Sequence, residues 1–173
     1  MKLIPYFLVV SAVAATLTAC APTPEQGQTA APAAKGPLEG VWKVAEVTIT
    51  GGPNEGTNPS PQPSLYIFAK QHYSIIRVGG REPRPLWKEG ATRESLTEAE
   101  FRAAFTPMTA NSGTYELNGS SVTTRPMVAL DPNFMSGGSA TFEYQVEGDS
   151  LLLIDRPTEG PATEVRRKFV RLE

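Results

Sequence analysis

The sequence predicts an all-β domain, a single eight-stranded antiparallel up-and-down barrel with one short α-helix after the third strand. Three observations carry this expectation. Short runs rich in β-branched and aromatic residues recur along the chain, each bounded by Gly, Pro, Asn or Asp. The 15 Gly and 16 Pro among 173 residues favour many turns over long helices. One segment, 95–105, has helical rather than alternating periodicity. Eight strands in a closed barrel leave an interior just wide enough for packed side chains or one small ligand.

The elements follow in order. "GVWKVAEVTIT" (Gly40–Thr50) is rich in β-branched residues and ends at Gly51-Gly52-Pro53. Val41, Ala45, Val47 and Ile49 alternate along it with Trp42, Val44, Glu46 and Thr48, and both sets are partly apolar. A long Gly/Pro/Asn loop, 51–63, leads to "SLYIFA" (Ser64–Ala69). Lys70-Gln71 joins that strand to "HYSIIRV" (His72–Val78) as a hairpin. A turn-rich stretch, 79–94, precedes the helical segment. There Thr97 with Glu100, and Ser95 with Glu98, have capping-box spacing. Phe101 and Phe105 fall four apart on one face, and Pro107 stops the helix. "GTYEL" (113–117) and "SVTTRPMVAL" (121–130) flank Asn118-Gly119, a strong hairpin signal because both positions of such a turn require positive φ. "SATFEYQV" (139–146) places Ala140, Phe142, Tyr144 and Val146 on one face. Glu147-Gly148-Asp149 turns it into "SLLLIDR" (150–156). In "ATEVRRKFVRL" (162–172), Val165, Arg167, Phe169 and Arg171 face one way and Arg166, Lys168, Val170 and Leu172 the other.

The bulk numbers exclude several function classes. The formal charge is −2, from 16 basic and 18 acidic residues. No strong field results, and nucleic acid is not an expected partner. One Cys rules out an intrachain disulfide, and one His leaves almost no ligand set for a His/Cys metal site. No metal and no cofactor are expected.

The first twenty residues read as a targeting segment. Lys2 is a positive start, residues 3–13 form an apolar run interrupted by Pro5 and Ser11, and small residues lead to Cys20. The run falls short of the roughly 20 residues of a membrane span. Leu17-Thr18-Ala19-Cys20 resembles the lipobox of bacterial lipoproteins. That resemblance implies a signal peptide over 1–19, cleavage before Cys20 and acylation of its thiol and new amine. Several acyl chains anchor firmly where one binds only marginally. Ala21, in place of the aspartate of inner-membrane retention, implies the outer membrane, with the domain facing the periplasm. The plain alternative is an ordinary signal cut that leaves Cys20 free. Residues 20–36, rich in Ala, Pro, Gln and Thr, read as a disordered tether, and residues 37–173 as the barrel domain.

Gly40-Val41-Trp42 resembles the Gly-x-Trp of lipocalins. "LEGVWKV", "PSLYIFAKQHYSI", "SGTYELNGSSVT" and "ATFEYQVEGDSLLL" together resemble the bacterial lipocalin-like domain family over most of 38–173. The resemblance implies an up-and-down barrel and no general enzymatic activity. It also implies that an arginine of the last strand packs over Trp42; Arg167 and Arg171 are the candidates, with Arg166 if the register shifts. Secreted lipocalins carry a disulfide and a helix near the C-terminus. This chain has neither, its helix following the third strand.

Candidate site residues are aromatic. Trp42, Tyr66, Phe68, Tyr73, Tyr115, Phe142 and Tyr144 come from several strands and converge inside a barrel, as ligand lining or as plain core. Arg77 shares a face with Tyr73 and Ile75; it points into the lumen, to meet a ligand carboxylate, or lies at the rim. Phe101 and Phe105 suit a lid over one mouth, with Trp87 folded beneath it or presented to a partner. His72 is the only imidazole, at a hairpin and without a Gly-x-Ser-x-Gly elbow. No catalytic residue is therefore assigned. Glu98 and Glu100 read as helix surface, and Asp131, Asp149 and Asp155 as turn residues. Three roles remain: a lipid-anchored module binding a small apolar or amphipathic ligand, an envelope interaction protein with a filled barrel and a protein partner, and an enzyme.

Overall fold

A computed structural model describes residues 36–157 and 162–173. The signal segment 1–19, Cys20 and the tether as far as 35 lie outside the described residues. The strands are β1 (Gly40–Thr50), β2 (Gly56–Asn58), β3 (Ser64–Ala69), β4 (His72–Val78), β5 (Met108–Asn118), β6 (Ser121–Ala129), β7 (Ala140–Glu147), β8 (Ser150–Asp155) and β9 (Glu164–Arg171). The helices are α1 (Glu98–Phe105) and α2 (Pro132–Met135). Every pairing is antiparallel, and β9 returns to β1, so β1 and β3 to β9 form a closed eight-stranded barrel.

β2 is an addition to the predicted strands. Its Gly-Thr-Asn has no apolar pattern. Backbone pairing to Val47–Ile49 and the Thr48–Thr57 hydroxyl contact at 3.0 Å hold it. β1 therefore has a divided edge: Gly40–Trp42 pairs with β3, and its far half pairs with β2. A bulge at Ala45 shifts the register between Val44 and Glu46. Trp42 and Val44 are buried before it, and Val47 packs on the core after it. The inward face thus changes parity within one strand, which is why both alternating sets of β1 are partly apolar.

β5 begins at Met108, ahead of the predicted 113, because its small polar residues pair along β4 from Val78 to His72. Opposite Pro126, which has no N–H to donate, the β5–β6 ladder shifts at Gly113. A Cβ on Gly113 would lie 2.0 Å from the Arg125 carbonyl oxygen, so glycine is required there.

The helical forecast was one turn too long. α1 starts at Glu98 with Thr97 as N-cap, the Thr97–Glu100 pair forming a reciprocal capping box; Ser95 ends a separate 3₁₀ turn. α2 was not foreseen. Asp131 caps it by accepting from Asn133 N and Phe134 N, with Pro132 at its first position.

The two ends of the barrel differ. At one end β3–β4, β5–β6 and β7–β8 are joined by two-residue turns whose first residue has positive φ: Lys70 at 50°, Gly119 at 58° and Gly148 at 57°. The β5–β6 turn is thus Gly119-Ser120, one residue later than expected, and only its first position is left-handed. At this end Leu38, Trp42, Phe68, Tyr115, Val122, Leu151 and Phe169 make the packed core. Fully burying a side chain of this size contributes about 2 kcal/mol. At the other end lie the connections 51–63, 79–107 and 130–139, with β2, α1 and α2. The barrel is a cup, packed at the short-turn end and open at the long-loop end.

Candidate functional site: an arginine-lined cavity

Strand alternation sets what lines the open half. On β4, Tyr73, Ile75 and Arg77 share the inner face, and on β9 so do Phe169, Arg167 and Val165, register partners of Val44, Val47 and Ile49. Moving outward from the core, each of these two rows runs from aromatic to arginine. The cavity that results is about 530 Å³. Its lining includes Tyr66, Ile75, Thr124 and Phe142, the charged groups Arg77, Arg167, Asp155 and Asp131, and, from α1, α2 and the segment before α2, Phe105, Phe134 and Leu130. A second cavity of about 380 Å³ opens sideways where β1 leaves β3, beneath β2 and the 51–63 loop. Arg77 and Arg167 line both.

The charged lining is electrostatically uneven. Arg167 is 9% exposed and lies 3.7 Å from Asp155, Nη1 to Oδ2. Arg77 is partly buried and makes no ion pair or hydrogen bond among the described residues. Burial lowers its pKa first of all, and the neighbouring Arg167 charge lowers it further, against the opposing influence of Tyr66 and Asp155. Nearer the core, the Tyr73 hydroxyl is buried without a hydrogen-bond partner. Burial raises its pKa; the Thr124 hydroxyl offsets this in part but falls outside hydrogen-bonding geometry and itself donates to Ala140 O at 3.2 Å.

Of the aromatics singled out in the sequence, Tyr66 and Phe142 reach this cavity. Trp42, Phe68, Tyr73 and Tyr115 are buried in the core instead, with Tyr66 edge-on to Phe169 at 4.7 Å and Phe68 edge-on to Tyr115 at 5.2 Å between ring centroids. Tyr144 is half-buried and donates through its hydroxyl to Gly119 O at 3.2 Å. Arg171, not Arg167, lies over Trp42, its guanidinium carbon 4.0 Å from the ring centroid. Its Nη1 donates to Glu39 O at 2.6 Å, and Trp42 Nε1 donates to Leu38 O at 2.8 Å. Arg166 is exposed and pairs with Glu164 at 2.5 Å.

Phe105 sits at the cavity rim, while Phe101, 4.5 Å away between centroids, is on the outer side and partly exposed. Trp87 packs near Phe105 at 6.3 Å, and Arg93 covers both phenylalanines. His72 is exposed at the short-turn end, paired with Ala69 and Thr114, away from the cavity. Among the described residues no group of three or more His, Cys, Asp or Glu is arranged to hold a metal.

Asp155 sits beside turn signals in the sequence; in the structure it is the last residue of β8, opposite Val165, and lines the cavity. Its signal was present in the sequence: it continues the inward row Leu151, Leu153, Asp155. Phe134 belongs to α2, whose Asp-Pro-Asn start was a legible cap.

No protein-family model matches the chain, and no curated protein matches it. Among solved structures, a redesigned beta barrel is similar at 9% identity over 79% of this chain and 93% of that one, with a TM-score of 0.41.

Proposed function

We propose that this protein is a lipid-anchored barrel of the bacterial cell envelope, lipocalin-like in kind, that binds one small apolar or amphipathic ligand in the open half of its cup. The observation carrying this is the cavity of about 530 Å³, walled by Tyr66, Ile75 and Phe142 and open between α1 and α2. Ligand pockets are concave, mostly apolar and furnished with a few polar groups that fix orientation. Arg77, Arg167 and Asp155 are such groups. The runner-up reading, a filled barrel acting through a protein partner, fits the packed short-turn end but not the open one.

Anchoring rests on residues 1–20, and the outer-membrane location on Ala21. Labelling with a radioactive fatty acid is expected in the wild-type chain and is expected to vanish in Cys20→Ala. Ligand binding is tested by native mass spectrometry of the Cys20→Ala chain, which removes covalent acyl groups as a source of lipid. A co-purifying small molecule is the expected outcome. An empty barrel that also fails to take up a neutral apolar dye would sink the proposal.

A further inference from the structure

We infer that Arg77 and Arg167 form an anion-binding pair where the two cavities meet, so that the barrel selects amphiphiles with a carboxylate or phosphate head. This rests on the ligand-binding reading above and names the ligand's chemistry. Among the described residues the two guanidiniums are the only cations lining the mouth cavity, and both also line the lateral one. Two carboxylates stand on the mouth side: Asp155, held to Arg167, and Asp131, the N-cap of α2. The lateral cavity is lined by Arg77, Arg81 and Arg167 and by no carboxylate. Its remaining polar lining includes Asn54, Asn58 and Gln62, which supply amide donors. On the lateral side of the junction positive charge therefore stands without a lining carboxylate, in a partly dry place where a well-oriented guanidinium–anion hydrogen bond is strengthened.

The apolar side of the junction faces the other way. Ile75, Phe142, Phe105 and Phe134 line the mouth cavity. An amphiphile placed with its head between Arg77 and Arg167 would lay its chain against these side chains of the mouth cavity. Arg77 is the free donor of the pair. Arg167 is oriented by Asp155, which leaves the rest of its fork to the ligand.

The test displaces a neutral dye, N-phenyl-1-naphthylamine, from the full chain carrying Cys20→Ala. The competitors are dodecanoic acid, dodecanol and dodecyl phosphate, with inorganic phosphate alone as a further arm. The acid and the phosphate ester are expected to bind about tenfold or more tightly than the alcohol, the range for a hydrogen bond between charged groups. Arg77→Met is expected to abolish that preference, the acid and the alcohol then competing equally for the dye site. Arg77→Lys is expected to retain part of it. Arg81→Met, at the exposed side of the lateral cavity, is expected to weaken the preference without touching the core. Equal binding of acid and alcohol in a chain that takes up the dye would overturn the anion pair and spare the ligand-binding reading. Failure of the dye and of every competitor would overturn both. Equal binding of inorganic phosphate and dodecyl phosphate would overturn selection of an amphiphile.

Discussion

Arg167 and Arg171 occupy the same face of β9, and their surroundings give them opposite jobs. Arg171 stacks on Trp42, donates to Glu39 O and approaches Asp149 at 3.3 Å, so it clasps the chain start, the last strand and a hairpin. Arg171→Ala is expected to lower stability by about 2 kcal/mol, a cation–π contact plus a charged hydrogen bond. Arg125→Ala, at an exposed pair with Glu116, is expected to stay within about 0.5 kcal/mol. Urea denaturation of the two variants reads the contrast. Gly113 gives a second residue-scale contrast: Gly113→Ala drives a Cβ into the Arg125 carbonyl and is expected to cost about 3 kcal/mol or more. Gly148→Ala, with open space around it and φ 57°, is expected to cost about 1 kcal/mol. Glu164 titrates below the usual carboxylate range because Arg166 and Arg156 hold its charged form. Its folded pKa being depressed, its contribution is complete above the ordinary value near 4.5 and fades as pH falls through the folded value. Glu164→Gln should flatten the acid limb of a pH–stability profile recorded at low salt; an unchanged limb would count against the pairing.

At the scale of elements, β1 and α1 carry the open end in different ways. β1 must serve the packed core with Trp42 and Val44 and the lateral cavity with Val47 and Ile49, and the Ala45 bulge makes the change of parity. Deleting Ala45 would restore even pairing and leave Val47 and Ile49 inward, opposite Arg167 and Val165 as before. The expected result is a folded barrel with a less twisted β1, seen as retained dye uptake with a shifted denaturation midpoint. α1 is short, so its cap matters more than its propensity. Thr97→Ala removes the acceptor for Glu100 N and is expected to cost about 1 kcal/mol locally. Hydrogen exchange is the suitable measurement: faster exchange confined to residues 97–106, with the core strands unchanged.

For the whole molecule, the division between a packed end and an open end governs dynamics as well as binding. Strand segments around Trp42, Phe68, Tyr115 and Leu151 are expected to exchange only by global unfolding, while 51–63 and 79–107 open locally. Ligand should slow exchange at the open end alone. The strand order, the hairpins and the short helix were legible because each is written locally, as alternation, as a two-residue turn or as a capping box. β2 and the early part of β5 were not, because their residues carry no apolar pattern and are strands only through the neighbour they pair with. The candidate site was half legible. Arg77 was visible as an inward position of β4, whereas Asp155 looked like a turn and most of the aromatics proved to be core.

The sequence by itself determined the all-β class, the near-complete strand list and the inward rows of β4, β7 and β9, since side-chain direction alternates with a period of two whatever the neighbours are. The lipobox resemblance of Leu17-Thr18-Ala19-Cys20 is likewise a reading of the sequence alone. Only the tertiary structure decided which arginine meets Trp42, where β1 changes parity, and that Arg77 and Arg167 line the same two cavities. Those outcomes depend on the register between β1 and β9 and on where β1 parts from β3, which are properties of the closed barrel and of no single segment.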